Sequence, residues 1–374
     1  MNKSKKIMII AGEASGDMHG ANLVKAIQAK EPSIAFFGVG GTALKGAGVT
    51  IRVQSEELSV VGLSEVFSKI GKILKALSLL KKDLKTLRPD LLILIDFPDF
   101  NLRLAAAAKK LNIPVMYYIS PQVWAWRTGR VKKIRKLVNE MAVILPFEAD
   151  FYKEHDIPVT FVGHPLLDNI SPDDFNNTLN KEELPIIGLL PGSRSEEVER
   201  LLPVMIEAAG IISKEVREVK FIIPVAPSLN KDKAEKMLQG SMADISIAQG
   251  NAYEVLKSAA LVISASGTAT LEAAIFGTPM IIVYKVSPFS YWLGTKLIRV
   301  KYAGLANLIA GKEIVPELIQ EKASPENIAE HALRLLKDKK ARAEMQRQLN
   351  AIRKELGDPG ASDMAAKVAL RMLS

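Results

Sequence analysis

Short, continuous apolar runs alternate with helix-like stretches along this chain, and the alternation occurs twice. Lys6–Ala11, Ile34–Val39, Leu91–Asp96, Val115–Ile119 and Met141–Leu145 form a first set of predicted strands. Each is apolar at consecutive rather than alternate positions, which is the pattern of a parallel sheet covered by helices on both faces. The pattern gives way to Pro, Asn and Asp in Leu166–Leu184, then restarts. Ile186–Leu190, Lys220–Val225, Ile245–Ile247, Leu261–Ser264 and Met280–Tyr284 follow, with helices such as Glu196–Lys214 and Ala269–Phe276 between them. The fold class is therefore α/β, with two Rossmann-like, doubly wound domains facing a cleft. The expected divisions are residues 1–168, a linker 169–184, a second domain 185–345, and C-terminal helices 346–374 packing back on the first domain. A length of 374 residues suits two domains at roughly 150 residues each.

Composition removes several kinds of chemistry. The chain has no Cys, so disulfides, thiol nucleophiles and cysteine zinc sites are impossible. His19, His155, His164 and His331 are scattered, and neither a metal site nor a cofactor is expected. The apolar run after the basic start is too short for a signal peptide, and no run approaches the length of a membrane span. A cytoplasmic protein is expected. The formal charge of +9 points to an anionic partner such as a phosphorylated metabolite or an anionic lipid. Aromatic residues make up only 6% and are not interleaved with basic ones, so nucleic acid is disfavoured.

Candidate site residues gather at predicted strand ends. The first strand leads into Gly12, Glu13, Ala14, Ser15, Gly16 and Asp17, then a helix. This turn reads equally as an anion-binding loop or as a plain tight turn, and it lacks the dinucleotide spacing of glycines. The second domain opens likewise, with Pro191, Gly192, Ser193, Arg194 and Ser195 before a helix, where Arg194 is placed to hold a diphosphate. Ser266, Gly267 and Thr268 open another helix as an anion nest, and Glu272 follows one turn later, suited to a ribose diol. That ordered set is the pattern of nucleotide-sugar binding in GT-B glycosyltransferases. Asp96 closes the run Leu91–Ile95, where a carboxylate faces ligands gathered at the carboxyl edge of the sheet. Asp99 is either a second candidate base or a helix cap. Ser120–Arg127 carries Trp124 and Trp126 and runs into the basic residues Arg130, Lys132, Lys133, Arg135 and Lys136. That run reads as a solvated helix face or as a seat for an acceptor phosphate.

These segments together resemble the lipid-A-disaccharide synthase family. The resemblance runs nearly end to end, through Ala11–Asp17, Ile95–Asn101, Ser120–Arg127, Pro146–Glu148, Leu190–Arg194, Ala265–Thr268 with Glu272, and Leu305–Gly311. Phe97 stands where that family usually shows a small residue. The resemblance implies an inverting transfer from UDP-2,3-diacylglucosamine to the 6-hydroxyl of 2,3-diacylglucosamine 1-phosphate. It implies Asp96 as general base, and Arg194 and Glu272 on the UDP moiety with Asn307 beside them. Gly12, Glu13, Ser15, Gly16, Asp17, Trp124 and Arg127 fall on the acceptor side. UDP-N-acetylglucosamine epimerases and lipid-II-forming transferases share the second domain's logic but lack the 95–101 and 120–127 segments. A non-catalytic nucleotide-sugar-binding protein is disfavoured by the presence of Asp96.

Apolar residues recur every three or four positions from Val66 to Leu87, defining one face of a helix that also carries Lys69, Lys72, Lys75, Lys82 and Lys85. Leu58, Val60, Val61 and Leu63 lie just upstream. The first turns, with Val60, Val61, Leu63 and Phe67, are expected to touch an anionic inner-membrane surface, and the later ones to pack on the sheet. A monomer or a homodimer is expected.

Overall fold

The computed structural model describes residues 4–58, 63–126, 128–171, 185–224, 231–248, 252–287, 291–292, 295–296 and 300–374. The side chains of 63–69, 128 and 231–233 are outside that description. Val60, Val61 and Arg127 lie outside the described residues, as do the side chains of Leu63 and Phe67.

The chain divides into two compact units. One holds Met1–Asn169 with Leu356–Ser374, the other Ile170–Glu355. The last helix, Ala361–Leu373, thus belongs with the N-terminal residues, whereas Lys339–Glu355 belongs with the second unit.

The first unit is a parallel sheet of β1 (Lys6–Ala11), β2 (Ala35–Gly40), β3 (Thr50–Gln54), β4 (Leu91–Ile95), β5 (Val115–Tyr118), β6 (Glu140–Val143) and β7 (Val159–Phe161). Its spatial order is β3-β2-β1-β4-β5-β6-β7. Alternate β1 residues serve opposite faces. Met8 and Ile10 join a core with Leu77, Leu80 and Leu84 of helix Leu63–Leu87. Ile7 and Ile9 join another with Leu23, Val24 and Ile27 of helix Ala14–Lys30. Ala365, Ala366, Val368 and Ala369 of the last helix pack into that second core. Small side chains let this helix approach closely, and Asp168 fixes its start by accepting the backbone N–H groups of Gly360, Ala361 and Ser362.

The second unit repeats the plan with β8 (Ile186–Leu190), β9 (Lys220–Pro224), β10 (Ile245–Ala248), β11 (Leu261–Ala265), β12 (Met280–Tyr284) and β13 (Glu317–Ile319). All pair in parallel, in the order β10-β9-β8-β11-β12-β13. Strand order reverses between β1 and β4 in one sheet and between β8 and β11 in the other. In such sheets ligands bind beyond the carboxyl ends of the strands flanking the reversal. Among the described residues no helix is long and apolar enough to cross a membrane.

The lysine-bearing helix spans Leu63–Leu87. Leu58 is fully buried in the core at the end of a short helix, Ser55–Leu58, so it has no surface to offer a bilayer. Ile70 and Leu74, one turn apart, are 41% and 51% exposed.

Candidate active site

The chain leaves β4 through an unusual turn. Asp96 and Phe97 have φ of +42° and +45°, a left-handed conformation that side chains other than glycine adopt at a cost of order 1 kcal/mol each. The surrounding bonds hold it. Asn101 donates its side-chain amide to the carbonyls of Ile95 at 3.1 Å and Asp96 at 2.6 Å, and the Tyr117 hydroxyl donates to the Asp96 carbonyl at 2.5 Å. Pro98 then starts the helix Pro98–Lys110, where its missing N–H is harmless.

The turn sets Phe97 against Gly12. A Cβ on Gly12 would sit 2.6 Å from two Phe97 ring carbons, so only glycine fits beneath the ring. The carboxyl group of Asp96 is left half-buried, and its pKa is pushed up to about 6. Burial is the main cause, the nearby charge of Glu13 adds to it, and the backbone N–H of Phe97 opposes it. A carboxylate so placed holds a proton more readily than one in water.

The other predicted residues of this unit divide by placement. Glu13 and Ser15 are exposed at the start of helix Ala14–Lys30, and Gly16 packs near Ile95. Asp17 is 6% exposed, and its carboxylate accepts the backbone N–H groups of Gly41, Ala43 and Leu44 at the start of helix Thr42–Gly46. Both its oxygens are thereby engaged in the fold. Asp99 is exposed in the first turn of its helix and forms an ion pair with Arg130, whose guanidinium lies 5.7 Å from the Trp126 ring centre. Trp124 donates its indole N–H to Glu148 at 2.9 Å and meets Phe147 edge-on.

In the second unit, β8 and β11 each run into a helix N-terminus. Gly192 has φ +109°, and a Cβ there would strike Glu197 at 2.5 Å. Glu197 instead accepts the backbone N–H groups of Ser193 at 3.2 Å and Arg194 at 3.3 Å, which tightens the loop before helix Ser195–Glu215. The Arg194 side chain is 75% exposed and only loosely held, its guanidinium 3.6 Å from Glu197. After β11, Ser266 donates to the Ala303 carbonyl at 2.9 Å. Gly267 and Thr268 are exposed at the start of helix Thr268–Phe276. Glu272 lies one turn along beside Tyr253, its pKa raised by burial. Asn307 is fully buried, donating to the Val315 carbonyl and to Glu317, and accepting from the N–H groups of Ile314 and Val315.

Two carboxylates organise these loops: Glu148, which the sequence offers only as the end of the Pro146–Glu148 segment with no role attached, and Glu197, which it does not single out. Each stands third in its helix, Glu148 after Leu145 and Glu197 after Arg194. That spacing signals a helix start but not which loop the side chain would hold.

Known proteins share this plan. The profile of the lipid-A-disaccharide synthetase family matches residues 7–372. A lipid-A-disaccharide synthase of Syntrophus aciditrophicus (strain SB) is 47% identical over 376 residues, covering 99% of this chain and 98% of its own. Among solved structures, the glycosyltransferase of kitacinnamycin superposes with a TM-score of 0.68 at 13% identity over the whole of both chains. The UDP-GlcNAc 2-epimerase of Neisseria meningitidis, solved with UDP-GlcNAc bound, gives 0.65 at 14% identity over 98% of this chain and all of its own. The structural likenesses establish the fold, and the sequence relatives establish the kind of enzyme: a glycosyltransferase with two Rossmann-like domains, of the GT-B class. The chain belongs to the lipid-A-disaccharide synthetase family, whose activity serves lipid A synthesis.

Proposed function

We propose that the enzyme transfers the diacylglucosaminyl group of UDP-2,3-diacylglucosamine to the 6-hydroxyl of 2,3-diacylglucosamine 1-phosphate. The hydroxyl oxygen bonds to the anomeric carbon with inversion, the bond from that carbon to the diphosphate breaks, and UDP leaves. The hydroxyl proton goes to Asp96. The observation that carries this reading is the half-buried Asp96 carboxylate beyond the end of β4, with its pKa raised to about 6. Such a group is ionised at neutral pH yet more basic than an ordinary carboxylate.

The donor falls to the second unit. Arg194, exposed on its glycine loop, and the N-termini of helices Ser195–Glu215 and Thr268–Phe276 supply positive charge to a leaving diphosphate. Ser193, Ser266 and Thr268 add hydroxyls, and Glu272 accepts from the ribose diol. Asn307 acts from behind, shaping the chain around Ile314–Glu317 rather than touching UDP. The acceptor side comprises Glu13, Ser15, Trp124 and Arg127.

The enzyme works as a cytoplasmic protein on the inner-membrane surface. The exposure of Ile70 and Leu74 on the lysine-bearing helix supports that contact.

Mass spectrometry of products from the two diacylglucosamine substrates tests the reaction, and Asp96→Asn tests the base. Formation of the tetraacyl disaccharide 1-phosphate is expected, with turnover in the variant falling about 10²–10⁴-fold while UDP affinity persists. Near-normal turnover of that variant would remove Asp96 from the role.

A further inference from the structure

The reaction as written leaves Glu148 unused, although a buried carboxylate is costly to keep unless it is well hydrogen-bonded. Glu148 is 1% exposed. It sits in the first turn of helix Pro146–Lys153, after β6, where a single aspartate or glutamate can satisfy the local N–H groups. Its contacts reach further. One oxygen accepts the Trp124 indole N–H at 2.9 Å, and the other accepts the Leu145 N–H at 3.1 Å. The Ile144 N–H and the Ser120 hydroxyl also lie beside it. The Ser120 hydroxyl is in turn 2.6 Å from that of Tyr152.

Ser120 and Trp124 belong to the loop that follows β5, the strand next to β4. On β5 itself Tyr117 donates to the carbonyl of Asp96. Past the loop, Arg130 pairs with Asp99 and faces Trp126. The loop is therefore fixed at three places, and two of them, Ser120 and Trp124, meet at one carboxylate.

We propose that Glu148 is a positioning residue for the acceptor, holding Trp124 and Ser120 so that the 120–126 loop keeps its place beside the strand end that carries Asp96. This rests on the acceptor being bound at the carboxyl edge of the first sheet. Glutamine at 148 keeps the shape but substitutes an amide, with its N–H donors, for one carboxylate oxygen, in a place where the neighbours are themselves donors. Phenylalanine at 124 keeps an aromatic ring and removes the N–H. Both changes loosen the loop without altering Asp96 or the second unit.

The test measures steady-state kinetics with each substrate varied in turn, for Glu148→Gln, Trp124→Phe and the double variant. Burial lifts the Glu148 pKa to about 7, so the lost hydrogen bond is between a neutral and a charged one in strength. It predicts an acceptor KM raised about 10-fold in Glu148→Gln. Donor KM should stay at the wild-type value and kcat within a few-fold of it. Because the two residues act through one bond, the double variant should be no worse than the poorer single one. An unchanged acceptor KM in Glu148→Gln, equal rises in both KM values, or effects that multiply in the double variant would each overturn the proposal. Melting temperatures and circular dichroism identify an unfolded variant. If Glu148→Gln is one, Ser120→Ala is read in its place, since it removes the other side-chain donor beside the carboxyl group at a residue with no assigned contact to the acceptor. A raised acceptor KM at unchanged donor KM then supports the proposal, and an unchanged acceptor KM overturns it. Asp96→Asn run alongside separates the two claims: near-normal turnover there refutes the base and leaves the KM result to judge Glu148.

Discussion

The carboxylate of Asp168 accepts the backbone N–H of Gly360 at 2.7 Å, across 192 residues of sequence. The same oxygen takes the N–H of Ala361 at 3.0 Å, and the other takes that of Ser362 at 3.0 Å. One side chain thus satisfies three of the amides that every helix start leaves unpaired, and the negative charge also suits the positive end of the helix.

Asp168→Asn should loosen helix Ala361–Leu373 by about 1–2 kcal/mol, the usual worth of a helix cap. Amide hydrogen exchange should speed up in that helix while β4 and β5 keep their protection. Equal protection of the helix in variant and wild type would show that apolar packing alone holds it.

Asp96 gives a prediction in which activity and stability move oppositely. The base must be ionised, so turnover should fall as pH drops through about 6, where its pKa lies. An unfolded aspartate ionises near 3.9, so the folded protein binds this proton more tightly than the unfolded chain does. Ionised Asp96 therefore costs stability above pH 6, and the cost vanishes below about pH 4. Asp96→Asn should raise the melting temperature at pH 8, by at most about 3 kcal/mol of stability, and leave it unchanged at pH 4. A variant less stable at pH 8 would contradict the raised pKa.

Arg194 and Asn307 should separate on the donor side. Arg194→Ala and Glu272→Ala should each weaken UDP binding by ~1.5–3 kcal/mol in calorimetry, with normal melting temperatures. Asn307→Ala strands the buried Val315 carbonyl and the N–H groups of Ile314 and Val315. It should lose ~1–3 kcal/mol of stability for each group left unpaired, and bind UDP weakly only as the fold loosens. A stable Asn307→Ala with poor UDP affinity would return that residue to the binding site. Chelator should leave turnover intact, since Arg194 and two helix N-termini supply the positive charge.

The membrane contact is open to a vesicle assay. Val60, Val61 and Phe67 changed together to Ser, or Ile70 and Leu74 changed to Ser, should lower co-sedimentation with anionic vesicles and leave the melting temperature near wild type. Salt should weaken wild-type binding, because lysine attraction to anionic lipid is screened. Equal co-sedimentation of both variants and wild type would move the contact to another surface.

The strands legible in the sequence are mostly the central ones. β1, β4, β8 and β11 are buried almost throughout, so their residues form unbroken apolar runs. β3, β7 and β13 were not anticipated, and all three are sheet edges. Thr50–Gln54 is largely exposed or half-buried, and Val159–Phe161 and Glu317–Ile319 are three residues each. An edge strand has one paired side and little apolar demand, so its composition approaches that of a loop.

The sequence by itself determined the α/β class, the two-unit plan and the strand ends where the candidate residues gather, because the burial of a parallel sheet is written directly as apolar runs. It also put Asp96 directly after the apolar run of β4, at the carboxyl edge of the sheet. Only the tertiary structure decided what each polar side chain faces. Asp17 lies four residues from Glu13 and reads like a loop ligand, yet its oxygens hold the start of helix Thr42–Gly46. The resemblance sets Asn307 beside the UDP ligands, but its hydrogen bonds go to the Ile314 and Val315 backbone and to Glu317. The partners of a polar group come from chain segments distant in sequence, so local spacing fixes where such a residue stands and packing fixes what it binds.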